Sequence, residues 1–260
     1  MNSISYNYYH HAIVRKIPDS YKNCHLLNVS PKNIDVDLAR VQHQKYCDIL
    51  NTLGLNLLLI DADEHLPDCT FVEDSAIIFD DVAIICNIKT PSRKNEKKDV
   101  KKILKKYKIL KEIQSPGFIE GGDVLKIENK VYVGISSCTN MAGFNQLTNF
   151  IKERGYILVP VEINKSYHLK SSCSYIGKNY VIISSGHFDH EIFSEYNILE
   201  IPEDESICSN CLSINDVVLV PKGYTKSITK INNAGFHTVE LAISEFEKAE
   251  GSLTCLSILF

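Results

Sequence analysis

The sequence predicts an α/β fold built as a five-bladed, pseudo-symmetric propeller of ββαβ units, closed by pairing of the N- and C-terminal strands. Three observations carry this expectation. Two β-prone runs around a short polar turn, followed by a helical segment and a further strand, recur along the chain. Hairpins stand where an open α/β sheet would place crossovers, which disfavours that alternative. The tail, Leu253-Thr254-Cys255-Leu256-Ser257-Ile258-Leu259-Phe260, is apolar and β-prone, where most termini fray.

The clearest unit pairs 123–127 with 131–135 across Glu128-Asn129-Lys130, then continues into a helix from about Asn140 to Glu153 and a strand over 156–161. An earlier unit pairs 75–79 with 82–85 across Asp80-Asp81, followed by a lysine-rich helix and a strand over 109–113. A later one pairs 173–176 with 180–183 across Gly177-Lys178-Asn179, then a short helix near His190 and a strand over 198–201. The next pairs 211–214 with 217–220 across Asn215-Asp216, then a helix from about Thr225 to Asn233 and a strand over 237–241. The remaining pieces are a strand over 11–15, a helix from Val36 to Leu53 and a strand over 55–60. They make a fifth unit when the tail 253–260 supplies its first strand. Such units cannot bury their apolar faces alone and must pack on one another, so residues 1–260 read as one domain whose equivalent positions converge on a centre.

Composition narrows the function. A net charge of −4 and 23% charged residues point to neither nucleic acid nor an acidic membrane surface. Lys97, Lys98, Lys101, Lys102, Lys105 and Lys106 recur at helical spacing as a solvated face, with Val100, Ile103, Leu104 and Tyr107 facing inward. The opening residues lack the apolar core of a signal peptide, and the longest apolar runs are strand-length, so no membrane span is expected. Nine irregularly spaced cysteines suit reduced thiols in a cytoplasmic protein. Cys208-Ser209-Asn210-Cys211 lacks a second CxxC and reads as structural.

Chemistry concentrates just before the hairpins. Leu66 to Asp74 holds Asp68, Glu73 and Asp74; Phe118 to Leu125 holds Glu120 and Asp123 around Gly121-Gly122; Tyr167 to Cys173 holds His168. The paired glycines permit close backbone approach or positive φ. In the repeat frame Leu253-Thr254-Cys255 occupies the same place, so Glu73, Asp74, Glu120, His168 and Cys255 are expected near one centre. A cysteine with a histidine and a carboxylate is a nucleophile with its acid/base partner and orienter. Further carboxylates suit a cation, above all a planar guanidinium that donates paired hydrogen bonds and whose charge favours the thiolate. These residue types point to covalent attack on a guanidine carbon.

Leu66-Pro67-Asp68-Cys69 with Phe71-Val72-Glu73-Asp74, Pro91-Ser92-Arg93, Glu120-Gly121-Gly122-Asp123-Val124-Leu125, Val133-Gly134 with Thr139-Asn140, His168-Leu169-Lys170-Ser171 and Leu253-Thr254-Cys255-Leu256-Ser257 occur in one order from about His11 to Phe260. Together they resemble the dimethylarginine dimethylaminohydrolase family, part of the guanidino-group-modifying superfamily of five-bladed α/β propellers. The resemblance implies that Cys255 attacks the guanidinium carbon. It implies that His168 protonates the departing amine and then activates water, forming citrulline through a thiouronium intermediate. It further implies that Glu120 orients His168, that Asp74 binds the guanidinium with Glu73 close by, and that Asp68 receives the α-amino group. Arg93 would take the α-carboxylate, Leu26 would sit on a loop over the pocket, and the Ala249 backbone would line it. The partner is a small guanidino compound, and neither a metal nor an organic cofactor is required; the oligomeric state stays open.

Two positions depart from the family pattern. Where it usually reads Ser-x-Arg-Thr-Asn, this chain has Ser136-Ser137-Cys138-Thr139-Asn140, and Glu250-Gly251 replaces Asp-Gly. Losing that arginine removes a charge-assisted contact to the substrate carboxylate worth about 1.5–3 kcal/mol. The expectation is therefore an intact hydrolytic centre with altered recognition of the amino-acid end, including a different guanidine tail. Amidino transfer to an amine is a second enzymatic reading, and a catalytically weak propeller serving as a binding protein is a third.

Overall fold

Five three-stranded sheets make up the computed structural model, which describes residues 9–26, 33–164 and 166–260. The first holds β1 (His11–Arg15), followed by α1 (Val36–Thr52) and β2 (Asn56–Ile60), with β1 and β2 parallel and His11 opposite Asn56. Asp35 starts α1 by accepting from the Leu38 N–H, which satisfies one of the free donors at a helix N-terminus. The second unit is β3 (Ala76–Phe79), β4 (Val82–Ile85), α2 (Lys97–Leu104) and β5 (Ile109–Glu112). The third is β6 (Val124–Ile127), β7 (Lys130–Ile135), α3 (Met141–Ile151) and β8 (Ile157–Glu162). The fourth holds β9 (Cys173–Gly177), β10 (Tyr180–Ser184) and β11 (Asn197–Ile201). The fifth holds β12 (Leu212–Ile214), β13 (Val217–Pro221), α4 (Thr225–Asn233) and β14 (His237–Leu241), then α5 (Ser244–Lys248). In units two to five the first strand is antiparallel to the second and the second parallel to the third.

The tail completes the first sheet as expected: β15 (Ile258–Leu259) runs antiparallel to β1, with Ala12 opposite Leu259 and Ile13 opposite Ile258. The strand is shorter than the apolar run suggests. Residues Thr254–Leu256 form a 3-10 turn instead, because the Thr254 N–H is taken by the Asn210 side chain and its hydroxyl by Glu73. Cys255 therefore sits on a turn ahead of the strand. Two further expectations change. The helix near His190 is a single 3-10 turn, His190–Phe193, started by the Asp189 side chain. Tyr107 lies beyond α2 and is exposed, its ring against His11 and Phe260, while Val100 and Leu104 are the buried residues of that helix.

Hairpin tips use residues that tolerate left-handed backbone. Asn215 and Asp216 have φ of 44° and 72°, Lys178 and Asn179 of 48° and 63°, and Asp80 of 45°. Asn and Asp are the least strained non-glycine residues there, and paired positive φ matches the twist of the strands.

Apolar side chains collect between sheets. Ile13, Ile60 and Ile258 of the first sheet pack with Ala76, Ala83 and Ile85 of the second and with Val100 and Leu104 of α2. Phe79 and Ile84 meet Val124, Val131 and Val133; Leu125 and Tyr132 meet Cys173 and Val181; Ile176 and Ile182 meet Val218 and Val220. The fifth cluster brings Ile214, Leu219 and Leu241 against Ala12 and Val14 of the first sheet. Among the described residues no helix is long and apolar enough to cross a membrane.

Candidate active site

Each unit's first strand is preceded by a 3-10 turn: Val72–Ser75, Gly121–Asp123, Leu169–Ser171, Glu203–Ser209 and Thr254–Leu256. Hydrogen bonds tie each turn to the next. The Gly122 N–H donates to Asp74 Oδ1 at 3.1 Å, and the Leu169 N–H donates to Asp123 Oδ1 at 3.0 Å. The Ser209 hydroxyl donates to the Ser171 carbonyl, the Thr254 N–H donates to Asn210 Oδ1, and the Thr254 hydroxyl donates to Glu73 Oε2 at 2.9 Å. These turns place the chemical side chains side by side. They also show what the paired glycines do. Neither has positive φ, but a Cβ on Gly121 would meet the Glu73 carbonyl at 2.0 Å, and one on Gly122 would meet His168 Nδ1 at 2.4 Å. Close approach requires glycine here.

A small cleft opens over the turns, lined by Asp68, Asp74, Arg93, His168, Ala249 and Cys255, with His25, Phe71, Tyr167, Glu250 and Gly251 completing its wall. Its volume is about 40 Å³, room for about three waters. His168 Nε2 and Glu120 Oε2 lie 3.0 Å apart, and Nδ1 lies 3.8 Å from Asp74 Oδ1. Burial opposes a charged imidazole, yet the Asp74 and Asp123 carboxylates, with hydrogen bonds to Cys138 and Glu120, hold the His168 pKa well above its ordinary value. Burial likewise opposes ionised Asp74, but His168 and Arg93 hold its carboxyl below the usual range. Cys255 is partly exposed, and burial, aided by Glu73 and Asp74, pushes its thiol up to about 12. A thiol in that state needs a nearby cation before it becomes a good nucleophile.

Of the expected residues, Asp68, Asp74, Arg93, His168, Ala249 and Cys255 share the cleft, and Glu120 lies directly behind His168. Glu73 is close by but occupied: it pairs with Lys170 and accepts from Thr254. Asp68 accepts from the His25 N–H at 2.9 Å, and burial raises its pKa. Leu26 packs beside the core of the first unit and is absent from the cleft wall, where its neighbour His25 stands. Arg93 differs most from expectation. It lines the cleft, but its guanidinium is buried among acids. Nε and Nη2 contact Glu96 at 3.0 Å, Nη1 contacts Asp74 at 3.1 Å, and Glu120 lies 3.8 Å away. Burial works against this charge, but Glu96, Asp74 and Glu120 raise its pKa well above that of an ordinary arginine.

Sequence reading assigned no role to Glu96, Lys170 or Tyr167. Glu96 follows Arg93 by three residues on a turn opened by Pro91, a local spacing that signals an ion pair. Lys170 and Glu73 are 97 positions apart, so only the fold reveals that pair. Cys138 is buried with its sulfur 3.8 Å from the Ser137 hydroxyl, and its proximity raises the pKa of both Tyr167 and His168. Glu120, Cys138 and His168 also form a set of donors compact enough to hold a metal ion.

Comparison with known proteins agrees with this geometry. The family model described as N,N dimethylarginine dimethylhydrolase, eukaryotic, matches residues 22–258. The chain belongs to the dimethylarginine dimethylaminohydrolase family. It is 31% identical to the enzyme of that name from Pseudomonas aeruginosa over 228 residues, covering 87% of this chain and 90% of the relative. It is also 31% identical to the one from Streptomyces coelicolor, covering 95% of each. Among solved structures, a cysteine-to-serine variant of the Pseudomonas aeruginosa enzyme complexed with citrulline superposes with a TM-score of 0.92 at 29% identity, over 97% of this chain and all of the other. A family member in adduct with S-methyl-L-thiocitrulline gives a TM-score of 0.93 at 29% identity, with the same coverage.

Proposed function

We propose that the protein hydrolyses a guanidine C–N bond by covalent catalysis, with Nω-methylated arginine as the substrate, releasing methylamine or dimethylamine and citrulline. The observation that carries this reading is the convergence of Cys255, His168, Glu120 and Asp74 on adjoining turns of one cleft. Asp74 and Glu120 are the acceptors for a guanidinium, whose charge lowers the cost of forming the Cys255 thiolate. The thiolate attacks the guanidinium carbon, forming a C–S bond. His168, protonated in the resting state, gives its proton to the departing amine as the C–N bond breaks. Neutral His168 then takes a proton from water, the resulting hydroxyl adds to the thiouronium carbon, and the C–S bond breaks as the hydroxyl proton passes to the departing sulfur, giving the ureido carbonyl and the Cys255 thiol. Asp68 is the acceptor for the α-amino group, Arg93 the nearest cation for the α-carboxylate, Leu26 the residue over the entrance, and Glu73 a brace between Lys170 and Thr254.

We also read the five sheets and their five apolar interfaces as one closed propeller domain, and the nine free thiols as suited to a reducing cytoplasm. Cys138 favours a second substrate reading, a guanidine with a tail other than an α-amino acid, because the side chain at that position carries no positive charge. Incubation with asymmetric dimethylarginine, monomethylarginine, arginine and agmatine, scored for ureido product, tests both. The methylarginines are expected to turn over in wild type and not in Cys255→Ala; folded protein that forms no ureido product from any of the four would refute the hydrolase.

A further inference from the structure

We propose that Lys170 is a positioning residue of the hydrolytic centre. Acting through Glu73, it fastens the turn that carries Cys255 to the turn that follows His168, and it keeps the Glu73 carboxylate from opposing the thiolate. The part that concerns turnover rests on the hydrolase reading; the part that concerns the thiol does not.

Three of the turns that precede first strands meet at one carboxylate. Glu73 lies on Val72–Ser75, Lys170 on Leu169–Ser171 and Thr254 on Thr254–Leu256. The Lys170 ammonium donates to Glu73 Oε1, and the Thr254 hydroxyl donates to Glu73 Oε2 at 2.9 Å. Thr254 directly precedes the nucleophile, and Lys170 stands two residues beyond His168. Glu73 is itself followed by Asp74, which accepts from the Gly122 N–H. One acid thus ties the nucleophile, the acid/base residue and the guanidinium acceptor to a common frame.

A brace alone does not require charge. A neutral amide would also accept from Thr254, and a buried ion pair seldom outdoes well-packed neutral groups in stability. The Lys170 and Glu73 side chains are only 16% and 11% exposed, so water screens them poorly. What the charge changes is the field at the sulfur. The charged and titratable groups around the Cys255 thiol are Glu73, Asp74, His168 and Lys170, with the phenols of Tyr21 and Tyr46. Glu73 and Asp74 both oppose a thiolate there. Burial opposes the Lys170 ammonium, yet Glu73, Cys255 and Asp74 hold it in its charged form. Lys170 therefore offsets Glu73 at the sulfur.

Alkylation of Cys255 by neutral iodoacetamide in the purified full chain, followed by mass spectrometry of its peptide, reads this field without turnover. At about pH 9.5 a Glu73 that has lost its partner is ionised and Lys170 keeps its proton. Lys170→Met should slow alkylation about tenfold and Glu73→Gln should speed it about tenfold, since each leaves one charge uncancelled beside the sulfur. The double variant should return to within about threefold of wild type, and Lys170→Arg should match it. Lys170→Met should also lower kcat about tenfold with little change in KM, and Lys170→Arg should restore it. A brace without an electrostatic role would move both single variants in the same direction. That result, or a double variant as slow as Lys170→Met, would overturn the proposal, as would an unchanged kcat in a chain that turns over. If Lys170→Met does not fold, the double variant must be about tenfold slower than Glu73→Gln, and equal rates would refute the role. Absence of hydrolysis on every guanidine would refute the enzyme reading alone, because the order of alkylation rates decides the role of Lys170 independently.

Discussion

At the floor of the cleft, Asp74, Glu120, His168 and Cys255 stand on or beside short turns that are fastened to one another through main-chain donors and buried side chains. Asp68, Arg93 and Cys138, expected at the amino-acid end, depend on individual contacts instead, although Arg93 reaches Asp74 and Cys138 lies beside Glu120 and His168. The floor repeats a position of the fold, so moving one member disturbs its neighbours. Changes at Arg93 or Cys138 therefore reach the hydrolytic groups, whereas Asp68 accepts from the His25 N–H. Bond cleavage and recognition of the amino-acid end thus share contacts at Arg93 and Cys138 and are separable at Asp68.

The largest expected effect concerns the resting thiol at the floor. With Cys255 raised to about 12, alkylation by neutral iodoacetamide should climb about tenfold per pH unit, about a thousandfold from pH 7 to 10. A raised thiol pKa means that thiolate is scarce below it and accumulates only as pH rises. A cationic haloacetamidine should react much faster near neutrality, because its charge lies beside Asp74 and Cys255. A plateau for iodoacetamide below pH 9 would instead mark a thiolate already formed in the free cleft. Next, Gly122→Ala pushes a methyl into His168 and should lower kcat about a hundredfold, with little change in KM. An unchanged kcat would break the claim that the floor is rigid.

Cys138→Arg should lower KM for carboxylate-bearing guanidines about 10–100-fold, the equivalent of about 1.5–3 kcal/mol. Agmatine, without a carboxylate, should gain nothing. Equal gains for both would show that Cys138 does not face the amino-acid end. The smallest effect is on stability. Thr254→Val leaves Glu73 Oε2 without its donor and should cost about 1–3 kcal/mol. For a chain of this size that lowers Tm by a few degrees, about 2–4 °C per kcal/mol.

The five units were legible because alternation and turn chemistry agree locally: Asp80, Lys178-Asn179 and Asn215-Asp216 mark hairpins that the structure contains. The tail's pairing with β1 followed from counting units. What was not legible depended on distant partners. The turn at Thr254–Leu256 is held by Asn210 and Glu73, and nothing in an apolar run announces them. The fourth unit's connection looked helical, but so short a segment capped by Asp189 makes only one turn. At the site, the repeat frame located the floor, since equivalent positions of equivalent units must converge. Arg93 was located but not its partners: Glu96 was near enough in sequence to be seen, whereas Asp74 and Glu120 reach it through tertiary packing.

The placement of Arg93 also changes what binding means in this cleft. Its guanidinium already neutralises Asp74, so a second guanidinium arriving there exchanges one ion pair for another. Glu96 holds the remaining nitrogens of Arg93 as an anchor, and Nη1 is the group that must find a new anion. A zwitterionic ligand brings that anion as its own carboxylate and completes the exchange, with few counter-ions displaced and a shallow dependence on ionic strength. A ligand that is only cationic leaves Arg93 half-paired. On the proposed reading, the cleft would therefore discriminate by whether the incoming molecule can repair the contact that it breaks.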